Sequence, residues 1–498
     1  MCRLVPDETG FKDLDTGRRL TFSTWEAASN RLARGLTAAG IVKGDRVAIY
    51  LPNAEPIAYV IAYAAVHKAG AVAVPTNTRL TGSELAQILG HAEIKAAVLS
   101  PETSHRFEEA RPKLDTLEVV ITTDAGAPDA TLWDHALADD DSEYQVPVGA
   151  DDLADIMYTS GTTGTPKGVA VSHGNVAMVP NTEPEWNGQG WIHSSPLFTF
   201  AGIGFIYNPM KMGMASLYQA RFDAGRWIGY VESERPKFAF LVPAMGQLIS
   251  DHDRFGEADL SSLELVSVGS APLPFEVLKR LQEKLPSASV SNSYGMTEAG
   301  AAYCVMPPGE SLRRKGSVGR PLPPAEVRII DDDGRDVATG EEGELLIRTP
   351  GKARSYYRDP EATAATWESG GWVRTGDLAR IDEDGYLSIV GRQKDVIIRG
   401  GHNVHAADVE SVLYEHPGVL EAAVCGIPHT VLGEDVAAFV VPKPGAAVTP
   451  DDIAAFCRER LADYKAPRTV VFLDRLPRNA TGKVVKRELV ASYEEGEF

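Results

Sequence analysis

The chain has 498 residues and a net charge of −20 at pH 7. It is long enough for several packed units, and it lacks the excess of basic residues that nucleic acids and anionic membranes attract. Its four cysteines, Cys2, Cys304, Cys425 and Cys457, are too widely spaced for a disulfide framework or a zinc site, which predicts a reducing, cytoplasmic setting.

The N-terminal half alternates helical and strand patterns. A capping-box pattern of Ser23 and Glu26 precedes apolar residues at helical spacing over residues 25–39, so a helix is predicted there. The apolar stretch 57–74 is interrupted by charged residues and glycine, so it indicates a buried helix and strand and no membrane span. Further strands are predicted at residues 47–51, 96–99, 119–122 and 155–158. This alternation is typical of an α/β protein with largely parallel sheets.

The pattern of predicted secondary structure changes after Gly316. Strand-like pieces separated by acidic turns predict a smaller β-rich part. From Val396 onward, the chain shows helical patterns at 407–414 and 450–463 and strands at 422–426 and 436–441. This segment of roughly 100 residues could form a small α+β domain of its own.

Residues 158–168 read YTSGTTGTPKG, a strand that enters a loop of hydroxyls and glycines with one lysine. Glycines let backbone N–H groups approach an anion, hydroxyls donate hydrogen bonds, and a lysine adds positive charge. The spacing is not that of a Walker A loop, and an arbitrary cluster of this kind is more often a surface turn. The length of the string favours a phosphate-binding loop.

Five further motifs follow. They are GSAPLP at 269–274, YGMTE at 294–298, RTGD at 374–377, GRQKD at 391–395 and PRNATGK at 477–483. With the loop at 158–168 they resemble, in order, the motifs of the adenylate-forming superfamily, which includes acyl-CoA synthetases, aryl-CoA ligases, firefly luciferase and nonribosomal adenylation domains. The resemblance runs from about Leu20 to the end of the chain.

The resemblance implies a two-domain enzyme. Residues 1–393 would form a large α/β domain with stacked, largely parallel sheets and a smaller β-rich part. Residues 394–498 would form a small, mobile α+β lid that pivots at Lys394. The implied substrates and cofactors are a carboxylic acid, ATP, Mg²⁺ and coenzyme A, and a homodimer is left open.

The resemblance also assigns residues. Attack of a carboxylate on ATP needs cations and aligned donors, and Lys483 and Thr297 would be catalytic, with Glu298 catalytic and a ligand of Mg²⁺. Gly400 and Gly401 would let the pantetheine arm of CoA lie close to the backbone. The other nucleotide contacts would be Thr159, Ser160, Gly161, Thr162, Thr163, Gly164, Lys167, Ser270, Ala271, Pro272, Asn292, Tyr294, Gly295, Met296, Asp377 and Arg392.

The acid pocket would be lined by residues that are mostly apolar and often small, so a hydrophobic acid is expected. Thr199 stands where the family usually has histidine, which favours a reshaped pocket for a bulky or polycyclic acid over a straight fatty acid. No aspartate is present to hold an amino-acid ammonium group. The predicted lining residues are Phe198, Thr199, Phe200, Ala201, Gly202, Gly269, Ala299 and Gly300.

Other readings stay open. An acyl-AMP ligase could load the phosphopantetheine of a carrier protein, although no obvious insertion lies between Gly316 and Gly391. A light-emitting oxidase and a nucleotide-binding protein without turnover are further alternatives. His402 and His405 replace the family's commoner residues, and either contact CoA phosphate or fill space; a metal pair is disfavoured.

Overall fold

The computed structural model describes residues 1–127, 129–159, 167–176, 185–271, 273–302, 304–323, 325–349, 353–478 and 484–497. Within these ranges, every helix is too short or too polar to cross a membrane.

The first part of the chain builds most of one sheet. Its order is β21-β9-β8-β4-β3-β5-β6-β7, where β21 comes from later in the chain and only the pairings of β9 with β8 and β21 are antiparallel. The elements are β1 (Thr9–Asp13), β2 (Arg19–Thr21), α1 (Phe22–Ala38), β3 (Arg46–Tyr50), α2 (Pro56–Lys68), β4 (Val72–Pro75), α3 (Gly82–Ala92), β5 (Ile94–Leu99), α4 (Pro101–Ala110), β6 (Val119–Thr122), β7 (Thr131–Leu132), α5 (Trp133–Ala136), β8 (Leu153–Thr159) and β9 (Lys167–Ser172).

The next part builds a second sheet in the order β14-β13-β12-β10-β11-β1-β2, which is parallel except for β1 with β2. The elements are β10 (Gln189–His193), α6 (Phe200–Lys211), β11 (Met214–Tyr218), α7 (Ala224–Glu234), β12 (Phe238–Leu241), α8 (Pro243–Asp251), β13 (Leu265–Val268), α9 (Phe275–Lys284), β14 (Ser289–Asn292), β15 (Tyr294–Met296) and β16 (Gly300–Ala302).

The two sheets share one hydrophobic core. Phe11 and Tyr218 of the second sheet lie in the same buried cluster as Ile49 and Val98 of the first. Helix α2 is apolar on all sides, and nearly all its residues are buried because it lies inside this core.

An antiparallel sheet follows in the order β17-β18-β23-β22-β20-β19. This sheet is the smaller β-rich part that the sequence predicts. The elements are β17 (Cys304–Val305), α10 (Glu310–Arg313), β18 (Ser317–Pro321), β19 (Glu326–Ile330), β20 (Gly343–Arg348), β21 (Ser355–Tyr356), α11 (Pro360–Thr366), β22 (Val373–Ile381) and β23 (Leu387–Arg392).

The last part forms its own sheet, in which β25, β24, β27 and β26 are neighbours and β28 also pairs with β27. This sheet has its own hydrophobic core. The elements are β24 (Val396–Arg399), β25 (His402–His405), α12 (Ala406–Tyr414), β26 (Val419–His429), β27 (Gly433–Pro442), α13 (Pro450–Arg458), β28 (Thr469–Phe472) and α14 (Lys486–Glu494).

The predicted fold class is confirmed, and two details are wrong. The N-cap of α1 is Thr21, whose hydroxyl accepts a hydrogen bond from the Thr24 N–H at 3.2 Å, and not Ser23. Helix α13 ends at Arg458 and not at residue 463, because the Arg460 N–H bonds back to Cys457 and closes a tighter turn.

Candidate active site

Strands β8 and β9 carry the ends of the predicted phosphate loop. They are antiparallel and pair Thr159 with Lys167, so the residues that flank the predicted loop lie opposite each other. The Lys167 ammonium lies 4.9 Å from the centre of the Tyr356 ring. Several predicted residues lie outside the described ranges, and their roles stay predictions: Ser160, Gly161, Thr162, Thr163, Gly164, Pro272 and Lys483.

The YGMTE motif forms a small hairpin. Strands β15 and β16 pair Met296 with Gly300, which places Thr297, Glu298 and Ala299 at the turn. Gly300 has φ of 86°, a conformation that glycine adopts without strain. The hairpin therefore presents a hydroxyl and a carboxylate side by side.

Three predicted nucleotide residues from distant motifs form one cluster. Strands β22 and β23 place Asp377 opposite Arg392, and the Arg392 Nε lies 2.9 Å from the Asp377 carboxylate. The Tyr294 hydroxyl donates to the other carboxylate oxygen of Asp377. Asp377 is buried, with only 4% of its surface exposed. Burial, and then the charge of Asp377, raise the pKa of Tyr294 well above its usual value, so the hydroxyl stays a donor at neutral pH.

The predicted adenine side lies at the ends of β13 and β14. Within the described residues, the buried Oδ1 of Asn292 has no hydrogen-bond partner, so it fits the amino group of a purine. Ser270 and Ala271, which lie just after β13, are exposed, and Ser270 has φ of 71°. A Cβ on Gly269 would lie 2.3 Å from the Ser293 Oγ, so this position excludes larger residues. Gly295 is also exposed.

The predicted acid-pocket segment begins helix α6. The Thr199 hydroxyl caps this helix, accepting from the Gly202 N–H at 3.1 Å and donating to the Pro196 carbonyl at 2.7 Å. A Cβ on Gly202 would lie 2.0 Å from that carbonyl oxygen. Thr199 and Gly202 therefore have a structural role at the helix start. Gly202 is buried, and Phe198, Thr199, Phe200 and Ala201 are partly exposed.

An aromatic wall adjoins Gly269. The Phe240 ring lies 3.3 Å from where a Cβ on Gly269 would be, and its centre is 4.9 Å from that of Phe205 on α6. Trp191 packs edge-on against Phe205 at 5.0 Å. The segment at α6 and the glycine at the end of β13 are thus joined by aromatic side chains.

The sequence analysis missed two residues that contact the site. The Tyr356 hydroxyl donates to Glu298 Oε1 at 3.1 Å. Arg354, only 8% exposed, donates to the backbone oxygen of Thr297, and its guanidinium lies 5.1 Å from the centre of the Phe200 ring. The sequence around Arg354 and Tyr356 has no periodicity or motif that predicts these contacts. The one sequence feature that could have suggested a functional site is an arginine followed closely by two tyrosines.

Glu298 suits the predicted metal. Among the described residues, no group of three or more histidine, cysteine, aspartate or glutamate side chains could hold a metal ion. Mg²⁺ is commonly held by one or two carboxylates together with substrate phosphates and waters. A partly exposed carboxylate, oriented by a tyrosine that also contacts Lys167 beside the phosphate loop, fits that mode of binding.

The predicted CoA glycines form the turn between β24 and β25. Gly400 and Gly401 are exposed, with φ of 58° and 85°. The buried Arg399 supports this turn through Asp435 at 2.6 Å and the Tyr464 carbonyl at 2.8 Å. His402 stacks on Tyr464 with ring centres 4.6 Å apart.

His405 has a different surrounding from His402. Its Nε2 lies 3.3 Å from the Glu342 carboxylate, which precedes β20 in the antiparallel sheet. Each of the two histidines thus has a protein partner, and the two do not share one.

Comparison with known proteins gives the family. The model of "AMP-binding enzyme" matches residues 2–357, and that of "AMP-binding enzyme C-terminal domain" matches residues 408–483. The chain is 38% identical to a feruloyl-CoA synthase from Amycolatopsis sp, over 98% of this chain and 96% of the relative. It is 34% identical to the 3-[(3aS,4S,7aS)-7a-methyl-1,5-dioxo-octahydro-1H-inden-4-yl]propanoyl:CoA ligase of Rhodococcus jostii, over 95% and 93%.

A solved structure agrees with these matches. The anthranilate CoA ligase AuaEII in complex with anthranoyl-AMP superposes with a TM-score of 0.88 at 26% identity, covering 99% of this chain and 96% of that one. The chain therefore belongs to the AMP-binding enzyme family, in the adenylate-forming superfamily of acyl-CoA synthetases, and is an acid–thiol ligase.

Proposed function

We propose that this enzyme converts a hydrophobic, ring-containing carboxylic acid, ATP and CoA into acyl-CoA, AMP and pyrophosphate. The observation that carries the proposal is the meeting of Tyr294, Asp377 and Arg392 from three distant motifs beside the Thr297–Glu298 turn. Each of these motifs has a task in binding or activating a nucleotide, and they share one place in the fold.

In the first half-reaction, a carboxylate oxygen of the acid attacks the α-phosphorus of ATP. The bond to the bridging oxygen breaks, and pyrophosphate leaves. Asp377 accepts hydrogen bonds from the ribose hydroxyls, since a carboxylate has about four lone-pair sites and only two contacts here. Thr297 donates to the α-phosphate, and Lys167 and Lys483 offset negative charge. When bound, Mg²⁺ neutralises phosphate charge, with Glu298 as its carboxylate ligand.

In the second half-reaction, the CoA thiol attacks the carbonyl carbon of the acyl-adenylate, and AMP leaves. We assign the pantetheine passage to the exposed turn at Gly400 and Gly401, where the absence of side chains lets a ligand approach the backbone. Between the two steps, residues 394–498 would rotate about Lys394. This rotation would move Lys483 out of the active site and bring the turn at Gly400 and Gly401 into it.

The acid class rests on the side chains around Gly269 and helix α6. The Phe240 ring lies next to Gly269, and aromatic side chains continue from there to α6. Aromatic faces pack well against flat or fused rings. The acyl groups named for the three relatives also contain rings, which supports a cyclic acid for this chain.

An acid panel tests both the reaction and its acceptor. Pyrophosphate release and hydroxamate trapping would be measured with a hydroxycinnamate, a fused-ring propanoate, a long straight-chain acid, acetate and malonate. Each acid would be assayed with CoA, with a carrier protein bearing phosphopantetheine, and with neither. We expect cyclic acids and CoA to give the highest kcat/KM. Exclusive use of acetate or malonate would overturn the acid class, and exclusive use of the carrier protein would overturn the acceptor.

The catalytic lysine has its own test. We expect Lys483→Ala to lower acid-dependent pyrophosphate release by at least about 100-fold, because a cation at the developing charge acts mainly in the transition state. Lys443→Ala, in the same domain, is the control and should leave the rate unchanged. Adenylation that Lys483→Ala leaves intact would remove this residue from the mechanism.

We also propose that the enzyme works in the cytoplasm, where ATP and CoA are available. All four cysteines are unpaired, which supports a reducing compartment. The homodimer is a separate prediction, and light scattering at assay concentration would decide it.

A further inference from the structure

Strand β21 positions Tyr356 and Arg354, the residue just before the strand, next to the predicted nucleotide site. The sequence analysis assigned no role to either residue. Ser355 and Tyr356 pair with Ala170 and Val169 of β9, and the Tyr357 N–H donates to the Gly168 carbonyl at 2.7 Å. Strand β9 begins at Lys167, where the predicted phosphate loop ends. The backbone thus fixes β21 relative to that loop.

Tyr356 joins two groups of opposite charge. Its hydroxyl donates to Glu298, and the Lys167 ammonium lies over its ring. Trp367 packs edge-on against the ring at 4.9 Å and restricts its position.

Arg354 contacts backbone carbonyl groups, one of them in the β15–β16 hairpin that carries Thr297 and Glu298. Its Nη1 donates to the Thr297 carbonyl, and its Nη2 donates to the Asn175 carbonyl at 3.0 Å. Its guanidinium also lies against the ring of Phe200 at the start of α6. A guanidinium presents its donors in a rigid plane, so these contacts fix the turn and the acid-pocket helix relative to each other.

We propose that Arg354 and Tyr356 are positioning residues for adenylation. Tyr356 orients the Glu298 carboxylate toward the metal and the phosphates, and Arg354 holds the turn that carries Thr297. This proposal rests on the proposed function. It further implies that the second half-reaction, which starts from a finished acyl-adenylate and has no pyrophosphate left to hold, does not depend on Tyr356.

The key variant is Tyr356→Phe, with Tyr357→Phe as its matched control. Tyr357 is the next residue, and its ring packs edge-on against His91 at 5.9 Å, away from Glu298. Binding of Mn²⁺ to the enzyme–ATP complex would be measured by electron paramagnetic resonance. We expect Tyr356→Phe to weaken Mn²⁺ binding by roughly 10-fold or more, the usual effect of losing a residue that orients a metal ligand. Tyr357→Phe should bind Mn²⁺ like the wild type.

The two half-reactions give the second readout. Tyr356→Phe and Arg354→Lys should slow acid-dependent pyrophosphate release. In Tyr356→Phe, thioester formation from supplied acyl-AMP and CoA should stay within about twofold. Arg354→Lys keeps the positive charge and loses the planar pair of donors, so it tests geometry without leaving an empty space. Unchanged Mn²⁺ affinity in Tyr356→Phe, or equal losses of this variant in both half-reactions, would overturn the proposal. A wild-type enzyme without acid-dependent pyrophosphate release would instead overturn the proposed function.

Discussion

The two sides of the candidate active site are built differently. On the large-domain side, Asp377 is buried and takes bonds from Tyr294 and Arg392. Between the large domain and the last sheet, the ion pairs of the described residues each have one exposed partner. They are Lys315 with Glu415 at 3.0 Å and His405 with Glu342 at 3.3 Å, where the side chains of Lys315 and Glu342 are 53% and 42% exposed and that of His405 is 13% exposed. Surface pairs contribute only about 0–1 kcal/mol. The cluster around Asp377 is therefore pre-organised, whereas these pairs contribute little to holding the last sheet against the large domain.

The largest effect is expected where the pre-organised side is broken. Asp377→Asn keeps the shape of the side chain and removes the charge that Arg392 and the ribose hydroxyls would share. We expect kcat/KM for ATP to fall by roughly 100-fold, the combined effect of two hydrogen bonds to a charged group. Pyrophosphate release at varied ATP concentration measures this value.

Asp382→Asn is the matched control for that change. Asp382 follows the same strand β22 and pairs with Arg314 at 2.8 Å near the surface. It should keep kcat/KM for ATP within about twofold, as exposed pairs contribute little. Equal losses in the two variants would mean that the buried cluster has no special part in nucleotide binding.

A smaller effect is expected at the predicted hinge. Lys394 lies exposed in a short helical turn between β23 and β24. Proline there fixes φ and removes an N–H, so Lys394→Pro should lower thioester formation by roughly 10-fold and leave adenylation largely intact. The half-reactions would be assayed separately, with Lys394→Ala as control. Normal thioester formation in Lys394→Pro would contradict the hinge.

The smallest effect is expected for the surface pairs of the lid. Lys315→Ala combined with Glu342→Gln should change the free energy of unfolding by less than about 1 kcal/mol and each half-reaction by less than about twofold. Chemical denaturation and the two assays at low and high salt would check this. A large loss of stability, or a large change in one half-reaction, would show that these pairs fix the lid in one position.

Much of the architecture follows from local patterns. The strands β3, β5, β6 and β8 lie where short apolar runs predict them, because burial on both faces leaves a continuous apolar signal. The helix start was misplaced by two residues because Thr21 and Ser23 both carry hydroxyls. The choice depends on where β2 ends, which spacing within the helix does not reveal.

The site was predictable only in part, and for a physical reason. Tyr294, Asp377 and Arg392 carry motif signatures, so their meeting could be expected although they are far apart in sequence. The contacts of Arg354 are to backbone oxygens, which every residue has, so no partner residue type indicates them. The partner of Tyr356 depends on the pairing of β21 with β9, a tertiary feature.

The cap of helix α6 limits how this enzyme could acquire a new acid preference. Thr199 is a predicted acid-pocket residue and also closes the first turn of the helix, so replacing it to suit another acid would cost about 1 kcal/mol of stability. Phe200 and Ala201 follow it in the helix and do not cap it. Phe200 also contacts the guanidinium of Arg354, so variation among related enzymes, or in directed evolution, should accumulate at Ala201 before it reaches residue 199.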